Sequence, residues 1–206
     1  MMKNIIFATG NKDKVREINE MVGPKGIKVL SLKDIGFDEE VEETGTTFTD
    51  NAIIKAKAVA EYVLNNKKEY ADSIVLADDS GLEIDYYDKA PGVYSHRWLG
   101  ERTYPQAMQD VIDDMVDVPD EKRTCRFVCS MAAIVLPDKV LTSLETCEGI
   151  VWHEIVGDNG FGYDPFFYMP EYGCTTAQML PDDKNKVSHR GKALRSILKS
   201  LDEYLN

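Results

Sequence analysis

The sequence predicts an α/β protein built on a mixed sheet. Short apolar runs of strand character alternate with amphipathic helical patterns through the first part of the chain. Later, apolar runs at 125–136 and 140–145 flank Pro137-Asp138-Lys139, as the strands of an antiparallel hairpin would. No internal repeat, low-complexity tract or long linker interrupts the 206 residues, so 1–206 is read as a single domain, large enough for two closely apposed lobes.

The elements follow in order. Residues 3–8 form a first strand-like run that ends in Thr9-Gly10-Asn11. A helix is predicted over 12–22, where Val15, Ile18 and Val22 share a stripe and Gly23-Pro24 stops it. A strand at 27–32 comes next. The helix at 49–66 carries Ala52, Ile53, Ala56, Val59, Ala60 and Val63 on one apolar face. Strands at 73–77 and 82–87 flank Asp78-Asp79-Ser80-Gly81, the second alternating apolar and polar residues with period two. A helix at 104–116, the hairpin, a strand at 148–155 and a closing helix at 188–205 complete the reading; Leu194, Ile197, Leu198, Leu201 and Leu205 line that last helix.

Composition narrows the function. A net charge of −12 argues against a nucleic-acid partner, because backbone affinity is built from accumulated Lys and Arg. A small phosphorylated ligand stays compatible, since a local basic pocket overrides the global field. The first apolar run, 5–8, is too short for a secretory signal. No stretch approaches the roughly 18 apolar residues of a membrane span. A soluble cytoplasmic protein is expected. Cys125 and Cys129 share one strand face about 13 Å apart, too far to pair, and Cys147 and Cys174 are isolated, so reduced thiols are expected. The three histidines, 96, 153 and 189, lack zinc-ligand spacing.

Five stretches carry chemistry. At Thr9-Gly10-Asn11 a strand turns into a helix start, which favours anions, and Lys14 lies one turn in; a plain helix cap with a solvated lysine fits the same letters. Glu39, Glu40, Glu42 and Glu43 crowd a loop before a helix on which Asn51 and Lys55 share a face. Asp78 and Asp79 are expected at the carboxyl end of a strand, where open α/β sheets bind ligands; one carboxylate could hold a cation while the other takes a structural hydrogen bond. An Asx-type turn is the alternative there. Gly157, Gly160 and Gly162 make a pliable loop presenting Phe161 and Tyr163, rings able to stack on a base or to anchor the loop on the core. Finally, Lys184, Lys186, His189, Arg190 and Lys192 gather cationic groups into nine residues of an acidic protein.

Together and in this order, the stretches resemble the inosine/xanthosine triphosphate pyrophosphatase family. The segments that carry the resemblance are Thr9-Gly10-Asn11 with Lys14, Glu43 to Phe48, Asn51 to Ala56, ADDSGL at 77–82, PGVYS at 91–95, FGYDP at 161–165 and SHRGKAL at 188–194. The resemblance implies a long mixed sheet flanked by helices, with two lobes around an active-site cleft, and a homodimer. It implies Mg²⁺-dependent hydrolysis of ITP, dITP and XTP to the monophosphate and pyrophosphate. By the same resemblance Thr9, Gly10, Asn11, Lys14 and Lys55 hold the phosphates. Asp79 accepts the proton and binds the metal with Glu42, and Ser80 touches the nucleotide. Phe161 stacks on the base beside Gly162, Tyr163 and Asp164, while Lys184, His189 and Arg190 read the purine. Donors such as His189 and Arg190 suit the 6-carbonyl of hypoxanthine and xanthine and disfavour the 6-amine of adenine. The competing expectations are a related pyrophosphatase of pyrimidine or broader specificity, and a catalytically silent nucleotide-binding module.

Overall fold

A computed structural model describes residues 4–205, so Lys3, counted in the strand read over 3–8, lies outside the described residues. Strand β1 (Ile5–Phe7) leads into helix α1 (Lys12–Val22), then β2 (Val29–Ser31) and the short α2 (Leu32–Ile35). Helix α3 (Phe48–Asn66) precedes the long β3 (Ile74–Ile84), and α4 (Tyr104–Asp114) precedes the hairpin of β4 (Thr124–Val135) and β5 (Lys139–Val151). Two short strands, β6 (Phe167–Met169) and β7 (Cys174–Thr175), are followed by α5 (Pro181–Val187), α6 (His189–Ser200) and α7 (Asp202–Leu205).

The seven strands form one sheet in the order β2-β1-β3-β4-β5-β6-β7. Strand β1 pairs in parallel with both β2 and β3, whereas β6 pairs antiparallel with β5 and β7. The sheet is therefore mixed, as expected. Two predicted strands, 73–77 and 82–87, are in fact one: β3 runs through Asp78-Asp79-Ser80-Gly81 without a break. The carboxylates thus stand mid-strand rather than at a strand end. Likewise 140–145 and 148–155 merge into β5, and the closing helix is interrupted at Leu201.

The chain divides into two compact units. The first comprises Asp79 and the residues before it, Cys129–Glu145, and Arg190 onward; the second comprises Ser80–Val128 and Thr146–His189. In the first unit period-two alternation sends neighbouring strand residues to opposite faces. Ile5, Phe7, Ile74 and Leu76 join Ile18 and Val22 of α1 and Leu194, Ile197 and Leu201 on one face. Ile6, Val75 and Ala77 join Ala52, Ala56, Val59 and Val63 of α3 on the other. The second unit has its own core, with Leu82, Ile84, Met108, Val111, Phe127, Phe166 and Phe167. Within it the fully buried Arg123 donates from Nε to the Val151 carbonyl at 2.7 Å and from its terminal nitrogens to the carbonyls of Met115 and Trp152. Cys125, Cys129 and Cys147 are buried free thiols.

Candidate active site

In the first unit the site grows out of the pleat of β3. Asp78 continues the Ile74–Leu76 face and so points at α1 and α6; Asp79 continues the Val75–Ala77 face and points at α3. Lys14 Nζ of α1 lies 2.9 Å from Asp78 Oδ2, and Arg190 Nε of α6 lies 3.4 Å from the same oxygen. Arg190 also pairs with Glu17, so two cations and two carboxylates form a neutral quartet, buried except for the half-buried Lys14. Burial pushes the Asp78 carboxyl up, but Lys14 and Arg190 outweigh it and hold the group well below the usual carboxylate range.

Asp79 has the opposite environment. Its Oδ2 accepts a hydrogen bond from Asn51 Nδ2 at 3.1 Å, and Lys55 Nζ lies 3.4 Å from Oδ1. Lys55 is nearer to Glu43, at 2.6 Å, than to Asp79. Burial, with Glu43 adding to it, raises the Asp79 carboxyl above its ordinary value despite Lys55 and Asn51. Burial lowers the Lys55 ammonium, and Asp79, Asp78 and Glu43 more than reverse that, so the group stays cationic. Two adjacent carboxylates are thereby driven in opposite directions, the pattern by which one fold separates a fixed anion from a proton acceptor.

The turn after β1 behaves differently from the simplest expectation of open helix amides. Asn11 caps α1, its Oδ1 accepting from the amides of Asp13 at 2.8 Å and Lys14 at 3.2 Å. The Asn11 amide in turn donates to Thr9 Oγ1 at 3.2 Å. Gly10 is exposed, and a Cβ built there meets nothing within 4 Å, so neither packing nor backbone strain explains the glycine. Glu42, expected as a metal ligand, is exposed; its neighbour Glu43 is the one that reaches Lys55.

In the second unit the 157–164 loop is organised by a carboxylate. Asp164 Oδ2 accepts from the Phe161 amide at 2.8 Å and from Lys184 Nζ at 2.7 Å, while Oδ1 accepts from Thr176 Oγ1 at 2.8 Å. Gly160 has φ +76°, and a Cβ there would stand 2.1 Å from Asp164 Oδ2, which is why the loop needs glycine at that place. Lys184 Nζ sits 5.3 Å above the Phe161 ring. Tyr163 is buried, donating its hydroxyl to the Ser95 carbonyl at 2.9 Å and meeting Tyr104 edge-on; Gly162 follows Phe161 with φ +66°. His189 stacks on Phe127 with ring centres 4.8 Å apart, and Ser80 is half-buried on β3.

In the first unit Lys55 is thus brought to Asp79, and Lys14 and Arg190 to Asp78; in the second, Phe161 and Lys184 are brought to Asp164. Sequence reasoning missed Glu17, Glu43 and Thr176, and gave Asn51 no partner. The acidic 39–43 run and the i, i+4 relation of Asn51 to Lys55 were the signals available for two of them.

The Ham1 family model matches residues 5–200. The chain belongs to the Ham1 family. It is 43% identical over 203 residues to the dITP/XTP pyrophosphatase of Bacillus subtilis (strain 168), covering 98% of each chain. It is 39% identical to the protein of the same name from Clostridium perfringens, covering 97% of this chain and 98% of that one. Among solved structures, the Staphylococcus aureus Ham1 protein superposes with TM-score 0.82 at 31% identity over 98% of this chain and 99% of that one. The Coxiella burnetii HAM1 protein gives the same TM-score at 36% identity, over 98% and 100%. This Ham1 chain therefore shares both the sequence pattern and the sheet of its relatives, which bears out the resemblance read from the seven segments.

Proposed function

We propose that the chain hydrolyses the non-standard purine nucleoside triphosphates ITP, dITP and XTP between the α and β phosphates, releasing the monophosphate and pyrophosphate. The observation that carries this reading is the divergence of Asp78 and Asp79 to opposite faces of β3, one paired with Lys14 and Arg190, the other facing Asn51 and Lys55. The curated relatives named dITP/XTP pyrophosphatase support the substrate class.

The residues divide the work. The Thr9–Asn11 backbone, Lys14 and Lys55 hold the phosphates, and Gly10 is kept small so that the triphosphate can approach the chain. Asp79 accepts the proton of the attacking water at Oδ1, the oxygen that Asn51 does not hold. Among the described residues no three Asp, Glu, His or Cys side chains gather into a ready-made metal cage, and Mg²⁺ asks for none: carboxylate oxygens completed by phosphates and water suit it. The position between Asp79 and Glu43 already draws a cation, the Lys55 ammonium, so carboxylate oxygens at Asp79 and on the loop that carries Glu42 and Glu43 suit one. Asp79 and the exposed Glu42 would hold Mg²⁺, which supplies charge neutralisation on the phosphates and acidifies water. Phe161 stacks on the base beside Gly162, Tyr163 and Asp164; Lys184, His189 and Arg190 select the purine, and Ser80 contacts the nucleotide. Arg190 has a second task, holding Asp78. The working form in this reading is a cytoplasmic homodimer, which the mass in sedimentation checks.

The test is a panel of nucleoside triphosphates with pyrophosphate detection. ITP, dITP and XTP are expected to be cleaved with the highest kcat/KM, and ATP, CTP and dTTP at least about 100-fold less well. A pyrimidine preference would give the substrate class to the rival pyrophosphatase reading. Binding without release of pyrophosphate would make the chain a silent nucleotide-binding module.

A further inference from the structure

Asn51 is fully buried at the start of α3, and both ends of its amide are engaged. Its Oδ1 accepts from the Gly45 amide at 2.8 Å, and its Nδ2 donates to Asp79 Oδ2 at 3.1 Å. Those two bonds fix which end of the amide faces which partner, because a flipped amide would set oxygen against carboxylate and NH₂ against N–H. The Asp79 oxygens are then distinguished: Oδ2 is held by Asn51, and Oδ1 faces Lys55 and is left for the chemistry.

The other end of the clasp is equally constrained. Gly45 follows the acidic run that carries Glu42 and Glu43. A Cβ on Gly45 would stand 2.6 Å from Asn51 Oδ1, 2.7 Å from the Asp50 Cβ and 2.9 Å from the Asn51 amide nitrogen. Only glycine lets the loop come near enough for its N–H to meet Asn51. Beyond this contact, Thr47 caps α3 by accepting from the Asp50 amide at 3.1 Å, so the loop reaches the helix in a defined path.

We propose that Asn51 is a positioning residue that clasps the acidic 42–45 loop to Asp79. Resting on the pyrophosphatase reading, this clasp sets where the acidic loop, with Glu43 on Lys55, stands against Asp79, and it reserves Asp79 Oδ1 for the reaction. It acts on the transition state more than on nucleotide binding, since its side-chain hydrogen bonds go to Gly45 and Asp79.

The test uses the full chain carrying Asn51→Ala, Gly45→Ala or both. Asn51→Ala removes the acceptor for Gly45 and the donor to Asp79 without adding a charge beside that carboxylate. Gly45→Ala displaces the loop and leaves all the chemistry in place. Each single variant is expected to lower kcat on ITP about 10- to 100-fold with KM within about twofold, because a misplaced reacting group costs rate rather than uniform binding. The double variant is expected to lose little more than the worse single one, because both break one clasp. Losses that multiply in full, or a fall in kcat/KM carried by KM, would overturn the proposal. Amide hydrogen exchange gives a readout that needs no turnover. The Gly45 amide is expected to be protected in the parent and to exchange fast in Asn51→Ala, while the rest of α3 stays protected; an unprotected Gly45 in the parent refutes the clasp. A parent that cleaves none of the purine triphosphates refutes the functional reading and the positioning role with it, and leaves the exchange result to decide the contact alone.

Discussion

At the residue scale the molecule turns on one property of a strand. Neighbouring side chains face opposite ways, so Asp78 and Asp79 enter different chemistry although one peptide bond separates them. Asp78 spends its charge on Lys14 and Arg190, and removing that charge takes the carboxylate partner from Lys14 and one from the buried Arg190. Asp78→Asn is therefore expected to destabilise the chain at pH 7 by about 3–5 kcal/mol, measured by urea unfolding. The sign with pH follows from the direction of the shift. Because the folded carboxyl titrates below its unfolded value, its contribution is complete above about pH 4 and is lost as pH falls through the lower folded value. The gap between parent and variant should therefore be widest at neutral pH and close in acid. A gap that grows on acidification would contradict the assignment.

At the scale of elements, burial of charge is again settled by what the neighbouring elements offer. Among the described residues Arg123 donates to no carboxylate; it serves the carbonyl of Met115 at the end of α4 and those of Val151 and Trp152 at the end of β5. A cation at a helix C-terminus is favoured by the orientation of the peptide dipoles. Arg123→Leu would fill the space and abandon those carbonyls, so a loss of about 3 kcal/mol is expected in urea unfolding. A stability equal to the parent would show that the carbonyls find other partners. The same scale explains what the sequence misjudged. Two charges in mid-strand read as a strand end because their compensation comes from far along the chain, from Lys14 and Arg190 for Asp78 and from Lys55 and Asn51 for Asp79. Strands β6 and β7 are too short to show period two, and α5 ends at Ser188 in extended conformation, which divides the cationic run between two helices.

For the whole molecule, the functional reading separates binding from turnover. Asp79→Asn keeps the size of the side chain and removes the proton acceptor, so it is expected to unfold at a temperature close to that of the parent and to lose at least about 1,000-fold in kcat. ITP with Mg²⁺ should still raise the melting temperature of the variant, since a ligand that binds only the folded state stabilises it by mass action. Turnover at the parental rate would remove Asp79 from the mechanism. Chelation with EDTA should stop the parent and restoration of Mg²⁺ should restart it; undiminished activity in EDTA would exclude the metal from the reaction.

The sequence by itself determined the mixed α/β class, the order of the long elements and the family, because periodicity and contiguous motifs are local properties written along the chain. It also singled out Thr9-Gly10-Asn11, Asp79 and Phe161 as candidate site residues. Only the tertiary structure decided their partners. That Asp78 belongs to Lys14 and Arg190, that Glu43 rather than Glu42 meets Lys55, and that Asn51 joins Gly45 to Asp79 are all contacts between distant segments. The energy of such a contact depends on burial and on which face of the sheet a side chain takes, and neither is fixed until the strands have found their neighbours.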